Sequence, residues 1–186
     1  MNKLFKDSID GNKVSQLRQA FDCTFAMPSS LASSEFQDLL TIRIAGDPYA
    51  IRLFDITEII SEQRVFSVPS VTPNFLGLVG IRGRILPVFS LSSMLGYGTD
   101  LDSPRWMILC GSEEPIALAF SDFDGYLRLP SSSLHADENF RATYEHVKYV
   151  NQVASTPDGA RPVISIPLII ATIRNQISQH RPTKES

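Results

Sequence analysis

The chain has 186 residues, of which 43% are hydrophobic and 20% charged, and its formal net charge is −3. These values predict a folded globular protein with one large or two small domains, and they exclude a wholly disordered chain. The slight acidic excess argues against a generic nucleic-acid binder. No stretch reaches the roughly 20 apolar residues of a membrane-spanning helix, and the charged first ten residues do not resemble a secretory signal. We therefore expect a cytoplasmic protein that does not insert into a membrane.

The first 37 residues form a region of their own. Apolar residues recur at helical spacing between residues 12 and 25, namely Val14, Leu17 and Phe21. This spacing predicts a short amphipathic helix, and the Ser-rich stretch 28–34 predicts a linker after it. The helix has two interpretations: an arm folded onto the protein's own surface, or a docking element for a partner.

Between residues 38 and 60 the pattern changes from strand to helix. Residues 39–53 alternate between apolar and polar side chains, which predicts a β-hairpin with Asp47-Pro48 in its turn. The next apolar residues recur at helical spacing and predict a short helix over 54–60. They are Leu53, Ile56, Ile59 and Ile60.

Residues 78–90 are the most apolar block of the chain. Arg82-Gly83-Arg84 divides this block into two strands, and Ser90 is placed to cap a short helix that Gly96 ends. The glycines of the block, at positions 77, 80 and 83, follow neither the dinucleotide-binding nor the P-loop pattern. We therefore expect them to serve turns or close backbone contacts.

The second half of the chain repeats this plan loosely. Apolar runs predict strands at 106–110, 116–120 and 126–129, then a last hairpin at 147–153 and 162–166. Ser165 is expected to cap a helix that runs to about Ile177, and residues 178–186 form a polar, flexible tail. Many short strands separated by turns predict a mainly β fold of small barrels rather than a doubly wound sheet.

The sequence carries none of the common catalytic, metal or cofactor signatures. The three histidines share no ligand spacing with each other or with Cys23 and Cys110, so no metal site is expected. No nucleophile elbow is present, and the adjacent Glu113 and Glu114 do not form a catalytic carboxylate pair. We expect no enzyme activity and no cofactor.

Arg82 is a cation inside an otherwise apolar block. Burying an arginine is costly unless it is paired, so Arg82 either meets a carboxylate or lies at a groove. Glu58 stands among apolar neighbours and is a candidate partner. The pair has two interpretations, a structural lock or the charged edge of a binding surface.

Two stretches of the chain resemble the CheW-like family. Residues 49–59, YAIRLFDITEI, are similar to its opening motif, and residues 75–91, FLGLVGIRGRILPVFSL, are similar to its most diagnostic stretch. The resemblance covers residues 38–177. Departures include Gly80 where the family usually has Asn, and Ser90 and Ser165 where it usually has Asp or Asn.

The resemblance implies two packed SH3-like five-stranded barrels and a non-enzymatic adaptor in chemotaxis signalling. One surface would bind the regulatory domain of the histidine kinase CheA, and another would bind the cytoplasmic tip of methyl-accepting chemoreceptors. The residues that match the family's receptor-facing positions are Ile56, Glu58, Gly77 and Arg82. Two alternatives stay open: a CheW-like scaffold of another two-component pathway, such as pilus-driven twitching or gliding motility, or a small-molecule-binding double barrel.

Overall fold

The computed structural model of the protein describes residues 36–98, 104–136 and 148–179. Apart from Phe36, these residues belong to one compact unit, which runs from Gln37 to Ser186. The predicted helix at 12–25 and the predicted linker at 28–34 lie outside the described residues, and so does Cys23.

The fold is mainly β, as predicted. The strands are β1 (Phe36–Ile44), β2 (Asp47–Arg52), β3 (Glu58–Ser61), β4 (Phe75–Ile81), β5 (Arg84–Ser90), β6 (Trp106–Cys110), β7 (Ile116–Phe120), β8 (Asp122–Pro130), β9 (Leu134–His135), β10 (Val150–Thr156) and β11 (Gly159–Ile164). The helices are α1 (Leu91–Met94) and α2 (Ile166–Gln179), and short 3-10 turns cover Leu53–Asp55 and Ser131–Ser133.

The strands form two mixed sheets. The first, with strand order β8-β1-β2-β11-β10-β9, has six strands because the two-residue β9 adds to the expected five. Its edge strands β8 and β9 are joined by only three residues, 131–133, so the sheet must curl until its edges approach. We call this sheet barrel 1.

The second sheet, barrel 2, has the strand order β3-β6-β7-β5-β4. The chain that follows β3 closes it, because Phe66 pairs with Leu78 of β4 through two backbone hydrogen bonds of 2.8 and 2.9 Å. Gly77 permits this closure: a Cβ atom at this position would lie 2.2 Å from the carbonyl oxygen of Phe66. The expected role of Gly77 in a close backbone contact is confirmed.

Side chains that alternate along the strands build three apolar clusters. Leu39 and Ala50 point into barrel 1, whereas Val88 and Met107 point into barrel 2. The residues between them on the same strands form the inter-barrel core, which packs the two barrels together. The central members of this core are Leu40, Ile42, Ile51, Phe89, Ile108 and Leu118. Strands β6 and β7 are therefore buried on both faces, which explains their continuous apolar sequences.

The caps of the helices largely follow the sequence. The Ser90 hydroxyl accepts a hydrogen bond of 3.1 Å from the backbone of Ser93, as an N-cap does, and Gly96 follows with a φ of 84°. Helix α2 begins after Ser165, whose carbonyl accepts the backbone N–H of Ile169. Both helices extend directly from a strand that pairs in parallel, β5 with β7 and β11 with β2.

The predicted helix over 54–60 is wrong. A 3-10 turn covers Leu53–Asp55, and β3 then pairs in antiparallel fashion with β6. Ile59 packs on the inter-barrel core and Ile60 on the barrel 2 cluster. Since β3 is covered on both faces, apolar residues occupy two adjacent positions, Ile59 and Ile60, instead of alternating with polar ones. Together with Ile56 they have the spacing of a helix.

The predicted hairpin over 39–53 is confirmed, but its turn lies two residues earlier than expected. Ala45 and Gly46 occupy the turn with φ values of 52° and 89°, the left-handed conformations of a tight hairpin turn. Asp47 and Pro48 instead begin β2 and pair with Ile44 and Arg43.

Candidate functional site

Glu58 and Arg82 form the ion pair that the sequence suggested. Nη2 of Arg82 lies 2.6 Å from Oε1 of Glu58, and the pair connects the β4–β5 turn to β3 across the closure of barrel 2. The Arg82 side chain is 77% exposed, so the pair contributes on the order of 0–1 kcal/mol to stability. Arg82 therefore lies at the surface and is available to a partner.

The backbone of Arg82 is strained. Arg82 and Gly83 form the β4–β5 turn with φ values of 49° and 77°. Glycine or asparagine suits the first of these positions better than a long side chain does. A residue held against its backbone preference at an exposed turn favours a functional reason for its presence.

Ile56 belongs to an apolar surface where the two barrels meet. With Ile59 and Trp106 it is half-buried against the inter-barrel core. The Trp106 ring also contacts the ring of Phe123 in β8, with 5.3 Å between centroids. Tyr126, farther along β8, is exposed. We call Ile56, Ile59, Trp106 and Phe123 the inter-barrel surface.

Polar contacts join the exposed side chains of β8 to β1. The Tyr126 hydroxyl donates to Asp38 of β1, and this bond raises the pKa of the phenol. Arg128, two residues farther along β8, lies 3.7 Å from the same carboxylate. These contacts hold the exposed side chains of β8 in place.

Gly77 is buried and lies apart from the Glu58–Arg82 pair. Gly77 lies four residues before Ile81, the last residue of β4, a distance of about 13 Å at the usual rise, and Arg82 follows in the turn. A glycine is needed at position 77 because the Phe66 carbonyl occupies the space that a Cβ atom would take. The structure thus joins Glu58 with Arg82, places Ile56 two residues before Glu58 and leaves Gly77 near the other end of β4.

A second apolar surface covers the outside of barrel 2 near the β4–β5 turn. Phe66 pairs with Leu78, Leu78 with Pro87, and the next outward pair is Gly80 with Ile85. Ile85 is 74% exposed and Phe66 57% exposed. Apart from its chain neighbours, nothing lies within 4 Å of a Cβ added at Gly80, so the surface beside Ile85 is open. We call this row of residues on three neighbouring segments the outer stripe.

Two titratable groups near Ile56 are withdrawn from solvent, the half-buried Asp55 and the buried Cys110. Burial raises the pKa of Asp55, and the nearby Arg52 guanidinium partly opposes this shift. Burial, assisted by the charge of Asp55, also raises the pKa of the Cys110 thiol to about 12. Cys110 is fully buried, as expected, and is an apolar member of the inter-barrel core rather than a nucleophile.

No metal centre forms within the described ranges, where no three His, Cys, Asp or Glu side chains come together. His135 is exposed in β9, and the other two histidines lie outside those ranges. No helix in the described part of the chain is long and apolar enough to cross a membrane.

Sequence reasoning missed the outer stripe and most of the inter-barrel surface. A signal for the stripe was present: Leu86 and Val88 occupy inward positions of β5, so strict alternation places Ile85 outside. No comparable signal exists for the Trp106–Phe123 contact, because the two residues lie in different barrels.

Comparisons with known proteins agree with this architecture. The family model described as CheW-like domain matches residues 38–173. The crystal structure of the scaffolding protein TtCheW from Thermoanaerobacter tengcongensis superposes with a TM-score of 0.60 and 18% identity, covering 70% of this chain and 89% of that one. No curated protein matches the chain in sequence. Since the family model spans most of its length, the chain belongs to the CheW-like domain family.

Proposed function

We propose that the protein is a non-enzymatic adaptor that couples chemoreceptors to a CheA-type histidine kinase. The observation that carries this proposal is the presence of two apolar surfaces on different strands, the inter-barrel surface and the outer stripe. An adaptor needs two such surfaces, because it must hold both partners at once. Membership of the CheW-like family supports the same role.

The inter-barrel surface suits the helical tip of a receptor. Half-buried Ile56 and Ile59, beside the rings of Trp106 and Phe123, provide the apolar contacts that an amphipathic helix needs. Ile56 and the nearby Glu58–Arg82 pair would contact the receptor, as the resemblance implies. Gly77 would act indirectly, by allowing barrel 2 to close.

The outer stripe suits the regulatory domain of the kinase. An apolar row with Ile85 and Phe66 largely exposed is the type of surface that a protein partner covers. The open position at Gly80 leaves room for a side chain of the partner beside Ile85. Such a contact would be a docking of one sheet face on another.

The proposal is tested by calorimetric titration of the full chain with the regulatory domain of a CheA-type kinase from the same organism. We expect saturable 1:1 binding at micromolar affinity or tighter, about −8 kcal/mol or stronger. Absence of heat with a folded chain would overturn the kinase half of the proposal.

The receptor half is tested with Arg82→Gly and the receptor's cytoplasmic tip. Glycine relieves the left-handed backbone while it removes the guanidinium, so the variant should fold normally and bind the receptor more weakly. The control for loss of an exposed arginine is Arg174→Gln, which removes a positive charge from helix α2. Glutamine is used instead of glycine because a glycine would break this helix. Equal receptor affinity of Arg82→Gly and the parent chain would contradict a contact role for Arg82.

A further inference from the structure

Among the described residues, three arginines on or near the outer stripe have no carboxylate partner. Arg84 precedes Ile85 in β5, Arg64 lies two residues before Phe66, and Arg105 precedes β6. All three are exposed. None of them forms an ion pair within the described part of the chain. This group of positive charges is local, because the whole chain has a net charge of −3.

Two of these arginines line a cleft of about 630 Å³ at the end of β3. The cleft lies between the segments Glu62–Val65 and Pro104–Arg105. A backbone hydrogen bond of 3.0 Å from Glu62 to the carbonyl of Arg105 holds the two segments together. Among the described residues that line the cleft, Arg64 and Arg105 face a single carboxylate, that of Glu62, so these residues carry an excess positive charge.

The cleft is continuous with the outer stripe. The Arg64 guanidinium lies over the Phe66 ring, 5.3 Å from its centroid. Such stacking fixes a guanidinium while its N–H donors stay available for a carboxylate. A protein that covers Phe66 and Ile85 would therefore bring its own rim into reach of Arg64.

We propose that the partner of the outer stripe has an acidic rim and binds carboxylate side chains at Arg64 and Arg105. This inference rests on the proposed function, since it specifies the charge of the kinase surface that the stripe binds. Charge complementarity selects the partner: a second copy of this chain on the same stripe would bring Arg64, Arg84 and Arg105 against their own counterparts. Like charges at an interface rim oppose binding and slow association.

The test is titration of the full chain with the kinase regulatory domain at low and high salt. Arg64→Glu/Arg105→Glu should weaken binding at least tenfold at low salt and flatten the dependence of affinity on salt. Arg64→Lys/Arg105→Lys should retain most of the affinity. Arg174→Glu, with one charge reversed on α2, should change affinity less than twofold.

The outcomes separate the two levels of the proposal. If the parent chain does not bind the regulatory domain, the proposed kinase role is overturned, and the acidic rim with it. If the parent chain binds but the Arg64→Glu/Arg105→Glu variant binds equally well, or if Arg174→Glu is equally harmful, the acidic rim alone is overturned. Sedimentation showing dimers of the free chain that Ile85→Asp dissociates would also overturn it, because the stripe would then bind a second copy.

Discussion

The two barrels share one architecture but differ in how their surfaces are satisfied. On barrel 1 the charges pair with each other: Arg43 and Arg161 both contact Asp124, at 3.1 and 3.0 Å. On barrel 2 the outer stripe is apolar and the arginines beside it have no described ion-pair partner. Barrel 1 thus satisfies these charges within its own sheet, whereas barrel 2 presents the outer stripe, which we propose as a docking surface.

Within barrel 2, the residues that close the barrel and the residues that are exposed on the outer stripe have different roles. Phe66 takes part in both, because its backbone closes the barrel while its side chain lies on the stripe. Substitutions that touch the backbone contact should therefore affect folding, whereas substitutions of exposed stripe residues should affect binding alone.

The largest effect is expected at Gly77. In Gly77→Ala the new Cβ would lie 2.2 Å from the Phe66 carbonyl oxygen at a φ of +142°, so barrel 2 should lose about 3 kcal/mol of stability or more. Gly80→Ala is the matched control, since that position is open, and should stay within about 0.5 kcal/mol of the parent chain. Urea unfolding measures both. Equal midpoints for the two variants would show that the closure at Phe66 contributes little.

A smaller effect, on binding instead of folding, is expected at Ile85. Ile85→Asp should weaken binding of the kinase regulatory domain about 30-fold, or about 2 kcal/mol, because it places a charge at the centre of the stripe. Ile177→Asp changes another exposed isoleucine, 46% exposed on α2, and should leave affinity unchanged. The idea of a docking stripe fails if both variants bind like the parent chain.

The ion pairs of the two barrels should differ in their contribution to stability. Asp124→Ala leaves Arg161, whose side chain is only 11% exposed, without its carboxylate and should cost about 1 kcal/mol. Arg82→Gly should change stability by less than about 0.5 kcal/mol, because the loss of an exposed pair is offset by relief of the left-handed backbone. Denaturation midpoints of the two variants measure the two losses of stability. A larger loss in Arg82→Gly than in Asp124→Ala would contradict this expectation.

The smallest effect concerns Asp55, at the junction of the barrels. Burial raises the pKa of this carboxyl above its ordinary 3.8, so the folded state favours the protonated form. The resulting stabilisation is present below the ordinary pKa and is lost as pH rises through the raised pKa. Asp55→Asn should therefore melt slightly higher than the parent chain at neutral pH.

The gain from Asp55→Asn should disappear near pH 3, where Asp55 is protonated. Glu113→Gln, at an exposed bend, serves as the control for loss of one carboxylate. Melting curves at neutral and acidic pH measure the difference. A gain that persists unchanged at pH 3 would refute the assigned cause.

Local signals predicted most of the strands and the cap of α1. The Arg82–Gly83 turn and the Ser90 cap depend on residues close in sequence, and both are confirmed. The fold as a whole was predicted from the motif at 75–91, which resembles the CheW-like family over a stretch too long for chance similarity. The error at 54–60 arose where a short strand is covered by two different cores, which erases the alternation that identifies strands.

The candidate site was predictable only in part. Glu58 was a candidate partner of Arg82, and the structure pairs the two. The cost of burial was not the reason, because the Arg82 side chain is 77% exposed at a turn. The contact between Gly77 and Phe66 and that between Trp106 and Phe123 depend on barrel closure and barrel packing. Such long-range contacts leave no periodic pattern in the sequence.

The claim that one chain carries two separate docking surfaces is tested most directly by a ternary titration. The receptor's cytoplasmic tip is titrated into the chain alone and into the chain saturated with the kinase regulatory domain. We predict the same receptor affinity in both titrations and a 1:1:1 complex. Displacement of the regulatory domain by the receptor tip would contradict the claim, because it would mean that the two partners compete for one surface.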